Sequence, residues 1–228
     1  MRIRFGWMQV ILGLALLACA LALGGWAWVL AWPAIAVLAV GLGYLALGPG
    51  VFGKRGDGTL RLPHFVLLFP YHVVAWLRVQ WDAVLMREDP WNEVAPGLYL
   101  GRMISRPSDL PPDVRVIVDL TSEFAMPESV RRGRTYHCLP TLDTSVPTYD
   151  AFAALALALA PHDGPIYVHC AAGHGRSATF AAALLVARGI ATDVEDAEAR
   201  LRARRPAVHL HRGQKQLVQR FTQQLAAG

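Results

Sequence analysis

The sequence predicts an α/β domain, a mostly parallel sheet flanked by helices, preceded by a helical membrane hairpin. Three observations predict it. Between Arg4 and Lys54 there is no Asp, Glu, Lys, Arg or His, which is room for two membrane spans at roughly 20 residues each. From about Trp91 onward, short β-branched runs alternate with helical stretches, the pattern of a sheet covered by helices. Within that half, the apolar run Pro165–Val168 passes through a glycine-containing loop into an alanine-rich helix.

The front of the chain accounts for the composition. Of 228 residues 54% are hydrophobic and 17% charged, too apolar for an ordinary soluble domain. The first predicted helix runs from about Trp7 to Leu23 and the second from about Trp28 to Leu47, with Gly24-Gly25 as the turn and Trp26, Trp28 and Trp32 at headgroup depth. Arg2 and Arg4 precede the hairpin, and Lys54, Arg55 and Arg61 follow it. The positive-inside rule therefore puts both ends, and everything downstream, on the cytoplasmic side. A signal-peptidase site at Ala20-Leu21-Ala22 or a lipoprotein box at Leu16 to Cys19 is the alternative, but either would leave a second membrane-length run unexplained.

The chain thus divides into a hairpin (1–55), an interfacial segment with a linker (56–90) and a catalytic domain (91–228). Leu62 to Trp81 is rich in aromatic residues but interrupted by Pro70, His72 and Arg78. It reads as a helix in the headgroup layer or as a segment packed on the domain, and Arg87 to Pro90 as a polar linker. Gly97 to Gly101 is expected as an edge strand, Val114 to Leu120 as a buried strand and Thr135 to Leu139 as a third. Pro140 to Pro147 is a loop, Thr148 the N-cap of a helix to Ala160, and Ile166 to His169 the central strand. Helices follow over Ser177–Arg188, Val194–Arg204 and Arg212–Leu225.

The formal net charge of +5 is spread over clusters that suit an anionic lipid surface. No motif accompanies it that would indicate nucleic acid. Three cysteines, one of them inside a predicted span, give neither a disulfide framework nor paired metal-ligand spacing. No metal and no cofactor are implied.

The chemistry concentrates in His169-Cys-Ala-Ala-Gly-His-Gly-Arg-Ser177. A strand, a glycine loop and a helix N-terminus together make a phosphate cradle. Arg176 adds a planar fork that grips two phosphate oxygens. The field that attracts phosphate also favours thiolate over thiol, which makes Cys170 a nucleophile.

This loop resembles the signature loop of the cysteine-based protein tyrosine phosphatase superfamily, in its dual-specificity branch, and the resemblance covers roughly Trp91 to Leu225. It implies a dual-specificity phosphatase-like fold. It implies that Cys170 is the nucleophile, that Ala171, Ala172, Gly173, His174, Gly175 and Arg176 bind phosphate, that Ser177 hydrogen-bonds the sulfur, and that His169 supports the loop. The family's general acid is an Asp on a separate loop, for which Asp143 in "LPTLDTSVP" is the candidate. Asp150, Asp119 and Asp163 have structural readings as a first-turn residue, a strand end and a turn residue. His174 suits either an acidic substrate or solvent, and Cys138 either oxidation with Cys170 or a place in the core. Arg131, Arg132 and Arg134 suit a site rim or a turn, while Arg204 and Arg205 read as a helix end.

The resemblance implies phosphoproteins as the first substrate class. The hairpin favours a phospholipid, such as a phosphatidylglycerophosphate or a phosphoinositide. A phosphate-binding scaffold would not need Cys170, and a thiol-redox protein would leave Arg176 without a purpose.

Overall fold

The computed structural model describes residues 2–227. Helix α1 (Arg2–Leu23) turns at Gly24 and Gly25, both at positive φ, into a 3-10 segment and α2 (Ala31–Leu42). The chain then continues helically, through a wide turn over Gly43–Leu47 and a 3-10 turn, to Phe52. Small residues bring α1 and α2 together. A Cβ on Gly13 would lie 2.5 Å from Leu38 Cγ, and one on Gly41 would lie 2.8 Å from Val10. Close approach of this kind is how helices associate where the surroundings are as apolar as the helices themselves. Ile3, Trp7, Ile11, Leu14 and Leu21 point outward, and Trp26 at the turn is 82% exposed.

Three segments, Arg2–Leu23, Gly25–Phe52 and Leu62–Leu85, are long and apolar enough to cross a membrane. The third is helix α3 (Leu62–Met86), and it corrects the expectation that Pro70 interrupts the segment. Proline has no N–H, so in a helix the carbonyl four residues earlier loses its donor. Here that carbonyl is Val66, and the indole N–H of Trp32 on α2 donates to Val66 O and Leu67 O, both at 3.2 Å.

Both ends of α3 are fastened to the catalytic domain. Before it, Lys54 is fully buried and donates to Asp119 Oδ2 at 2.6 Å, Thr121 Oγ1 at 2.6 Å and Thr121 O at 2.9 Å. Gly58 O accepts from Met126 N, and Gly58 lies against the Tyr136 ring. After it, Glu88 pairs with Arg205 at 3.0 Å. Helix α3 therefore lies along the domain. Leu68 is buried with Val40, Tyr44, Phe52 and Leu142, while Leu62, Val66, Phe69, Val73, Trp76 and Leu77 stay exposed. One face packs on α2 and the turns that follow it, with Leu142 the domain residue in that cluster; the exposed apolar residues Phe69, Val73, Trp76 and Leu77 border a cavity with Phe124 and Ala125.

The sheet contains β1 (Trp91–Ala95), β2 (Leu98–Gly101), β3 (Val116–Thr121), β4 (Thr135–Thr141) and β5 (Ile166–His169), in the order β1-β2-β5-β3-β4. Only the β1–β2 pair is antiparallel. The edge position expected for Gly97 to Gly101 is taken by β1, and β2 is buried beside β5. Trp-Asn-Glu-Val-Ala lacks the alternation that marks a strand, which hides β1 in the sequence.

Between β3 and β4 lies α4 (Glu128–Arg131). Helices α5 (Tyr149–Leu159), α6 (Arg176–Ala187), α7 (Val194–Arg204) and α8 (Arg212–Ala227) complete the domain. Thr148 occupies the N-cap position of α5 but makes no side-chain cap bond; the true side-chain cap is Asp193 on α7, which accepts from Asp196 N at 2.8 Å. The main core joins one sheet face to α5–α8, where Phe152 meets Phe180 and Phe221 edge-on. On the other face Tyr99, Ile117 and Tyr167 pack with Val130 of α4 and with the loop residues Ile104, Leu110 and Val114.

Candidate active site

Strand β5 is central, with parallel neighbours on both sides, so its carboxyl end opens where α/β sheets place their sites. Cys170 follows its last residue, and the loop to Gly175 leads into α6 at Arg176. Cys170 is 3% exposed. Its Sγ is 3.2 Å from Ser177 Oγ and accepts from Gly173 N at 3.3 Å. Gly173 has φ +84, and a Cβ there would fall 2.5 Å from the Gly101 carbonyl carbon. No side chain fits.

Arg176 is buried and almost fully satisfied. Nη1 donates to Glu123 Oε2 at 2.9 Å and to Thr141 O at 2.8 Å, and Nη2 donates to Glu123 Oε1 at 2.7 Å. Its Nε is buried with no protein partner. Burial opposes ionisation of Glu123, yet the facing guanidinium and its hydrogen bonds hold the carboxyl below its usual range. The pair is ionised at neutral pH.

Asp143 is half exposed, with its carboxylate 3.5 Å from Arg176 Nη2. It sits on the turn after β4, between buried Leu142 and Thr144, whose φ is +57. Strand β4 runs to Thr141, two residues beyond the expected end, and so delivers Asp143 directly to the cavity. The competing aspartates lie elsewhere. Asp119 is buried with Lys54 and Tyr136, Asp150 is exposed in the first turn of α5, and Asp163 is near the opposite end of β5.

His169 is fully buried and stacked on Tyr167, with Nδ1 3.4 Å from Cys170 O. Burial lowers its pKa more than Asp119, 3.8 Å away, can raise it, so the ring is neutral. His174 Nε2 is 2.5 Å from Glu88, so the ring is tethered to a carboxylate rather than free in solvent. Ala171, Ala172, Gly175 and His174 border the cavity together with Cys170 and Arg176.

Arg205 is the C-cap of α7, in line with the expected helix end, and its side chain is also a buried brace for the loop. It donates to Gly173 O at 3.1 Å, Ala172 O at 3.2 Å, Asn92 Oδ1 at 2.8 Å and Asp89 O at 3.0 Å. Arg131, Arg132 and Arg134 coat a turn, bonded to Met126 O, Glu128 and Val114 O. Cys138 cannot reach Cys170. It pairs in register with Asp119, which pairs with His169, and two strand spacings of about 4.8 Å exceed the reach of a disulfide, about 7 Å between Cα atoms. Burial pushes its thiol up to about 11. No cluster of His, Cys, Asp or Glu suited to a metal exists among the described residues.

The loop opens into a cavity of about 340 Å³, within the range of small-molecule sites. Its walls extend beyond the catalytic domain to Phe5, Met8 and Gln9 of α1, Tyr44 after α2, and Tyr71, Val74, Ala75, Arg78, Val79 and Asp82 of α3.

Residues 108–224 match the family described as "Swiss Army Knife protein, DSP-PTPase phosphatase domain" (PTP-SAK). The chain belongs to this family. The PTP-SAK match contains Glu123, Asp143, the whole signature loop and Arg205. Solved structures share the fold. PTPMT1 in complex with PI(5)P is 23% identical with a TM-score of 0.54, covering 61% of this chain and 98% of that one. Human DUSP28 is 22% identical at 0.52, covering 60% and 98%. The human tyrosine phosphatase-like serine/threonine/tyrosine-interacting protein is 22% identical at 0.51, covering 62% and 100%. A comparison with curated protein sequences gives no match.

Glu123, Glu88, Arg205 and Lys54 brace the arginine, the loop and the sheet through contacts that the sequence does not reveal. Glu123 has one usable signal, its place just past a buried strand parallel to the one carrying Cys170.

Proposed function

We propose that this protein is a membrane-anchored phosphatase that hydrolyses the phosphomonoester of a lipid headgroup through a phosphocysteine intermediate. One observation carries the lipid assignment: the cavity over Cys170 is walled by three apolar helical segments, through Phe5, Met8, Tyr44, Tyr71 and Val74. A phosphate reaching Cys170 passes between groups that prefer a bilayer to water. The fold relative in complex with PI(5)P is in keeping with such a headgroup. The phosphoprotein reading, placed first on resemblance, has no counterpart in this wall.

In the chemical step the loop amides and Arg176 hold the phosphoryl oxygens, with Nε as the donor that protein groups leave free. The Cys170 thiolate attacks phosphorus; the P–S bond forms as the P–O bond to the headgroup breaks, and Asp143 protonates the departing oxygen. Water, giving its proton to the Asp143 carboxylate, then displaces the sulfur. Ser177 Oγ, at 3.2 Å, donates to the thiolate as it leaves.

In this account α1 and α2 cross the membrane as a hairpin. Helix α3, held to the domain at both ends, lies in the interface with its apolar face toward the lipid. Arg2 and Arg4 precede the hairpin and Lys54, Arg55 and Arg61 follow it, a charge pattern that supports a cytoplasmic side for the α/β domain.

Acid-quenching the full-length protein during turnover of a lipid phosphomonoester, with chelator present, tests the chemistry by mass spectrometry. Phosphate on Cys170 is expected, with none in Cys170→Ser. Continued phosphate release by Cys170→Ser would overturn the assignment.

A further inference from the structure

Helix α1 contains one carboxamide, Gln9, in a stretch otherwise apolar from Phe5 to Leu23. A polar side chain at that depth is costly, and such groups in membrane helices face a bundle interior or a polar cavity. Gln9 does the second. It is 7% exposed, it lines the cavity whose floor is Cys170, and among the described residues no protein group takes its amide in a hydrogen bond. Helix packing does not require it, since α1 meets α2 where Gly13 lies against Ala34 and Leu38 and where Gly41 lies against Val10.

The charges around the same cavity restrict what Gln9 can meet. Arg176 faces Glu123, His174 faces Glu88, and Arg78 faces Asp82 at 3.6 Å. Each of these basic side chains has a carboxylate opposite it, so beyond the cradle for one phosphoryl group the cavity offers little net positive charge to a second phosphate monoester. A carboxamide is neutral and both donates and accepts. Its complement is a hydroxyl, which also does both.

We propose that Gln9 is a specificity-determining residue that binds a hydroxyl of a polyol headgroup, so that the preferred substrate is a lipid whose single phosphomonoester sits on a glycerol or cyclitol group. This rests on the lipid reading above. The membrane helix thereby supplies part of the substrate site as well as the anchor. Gln9 touches the headgroup and takes no part in the displacement at phosphorus.

The test uses full-length protein in mixed micelles with four substrates: phosphatidylglycerophosphate, phosphatidic acid with no polyol, a phosphotyrosyl peptide and p-nitrophenyl phosphate. In Gln9→Leu, KM for phosphatidylglycerophosphate should rise about five- to tenfold, the worth of about one hydrogen bond. Phosphatidic acid and p-nitrophenyl phosphate should be unchanged, and Gln9→Asn should recover part of the loss. Unchanged p-nitrophenyl phosphate turnover shows that the variant is folded. If Gln9→Leu weakens all substrates alike or none, the role of Gln9 is overturned while the lipid reading stands. If the wild-type protein hydrolyses the peptide and neither lipid, both fall together.

Discussion

Arg176 and Glu123, 53 residues apart, face each other as a two-bond ion pair at 2.7 and 2.9 Å, which leaves Nε as the nitrogen of the guanidinium without a protein partner. The fork is fixed in place before phosphate arrives, so little orientation has to be found at the moment of reaction. Glu123→Gln keeps the shape and removes the charge. A charged hydrogen bond is worth about 1.5–3 kcal/mol, so kcat/KM for p-nitrophenyl phosphate should fall about ten- to hundredfold. A comparison of the two steady-state profiles checks it.

Asp143 stands 3.5 Å from the same guanidinium, at the cavity. As general acid it matters most where the leaving oxygen is a poor one. Asp143→Asn should slow an alkyl phosphomonoester by about 10²–10⁴-fold and p-nitrophenyl phosphate far less. Equal slowing of both would remove Asp143 from this role.

Cys170 and Arg176 are legible in the sequence as a candidate nucleophile and phosphate fork because they lie in one nine-residue run whose loop folds locally. Asp143 is legible for a similar reason, as a short loop following a strand. The braces are not. Glu123 meets Arg176 and Glu88 meets His174 across 53 and 86 residues, and nothing in the local text of either carboxylate marks a partner. The same holds for α3: Pro70 reads as a break until Trp32, 34 residues before Val66, is seen to take the carbonyl that the proline frees. The strand order is partly hidden too, since the pattern of β2 gives no hint that β1 covers it.

Lys54 fastens the N-terminal helical segment to the sheet through Asp119. Removing one partner of a buried pair costs about 3–5 kcal/mol, so Lys54→Met should lower the thermal midpoint markedly. The pair also sets acid stability. Burial opposes ionisation of Asp119, but the Lys54 charge and the hydrogen bonds from Lys54 and Tyr136 outweigh it and hold the carboxyl far below its usual range. A depressed folded value means that the unfolded chain binds the proton first. This contribution is therefore complete above about pH 4, the ordinary carboxylate value, and is lost as pH falls toward the folded value. Asp119→Asn should flatten the decline of the thermal midpoint below pH 4.

Gly173 is held at φ +84 against the Gly101 carbonyl. Gly173→Ala should displace the loop backbone that donates to Cys170 Sγ. Loss of phosphate and vanadate affinity, measured by calorimetry, is the expected result, together with a lowered thermal midpoint from the strain of a Cβ at this φ.

The proposed interfacial placement of α3 has a direct probe. Leu62 and Val66, one turn apart on α3, are both exposed. Leu62→Glu and Val66→Glu together should reduce hydrolysis of a vesicle-borne lipid phosphomonoester at least about tenfold while leaving p-nitrophenyl phosphate turnover intact, as two charges on the lipid-facing side weaken interfacial binding.

The central claim is that the apolar wall over Cys170 selects a lipid. Its most direct test is phosphate release by the full-length protein in chelator-treated mixed micelles, with a lipid phosphomonoester and a phosphotyrosyl peptide competing and Cys170→Ser as control. The account predicts a kcat/KM for the lipid well above that for the peptide. Equal or greater efficiency on the peptide would contradict it.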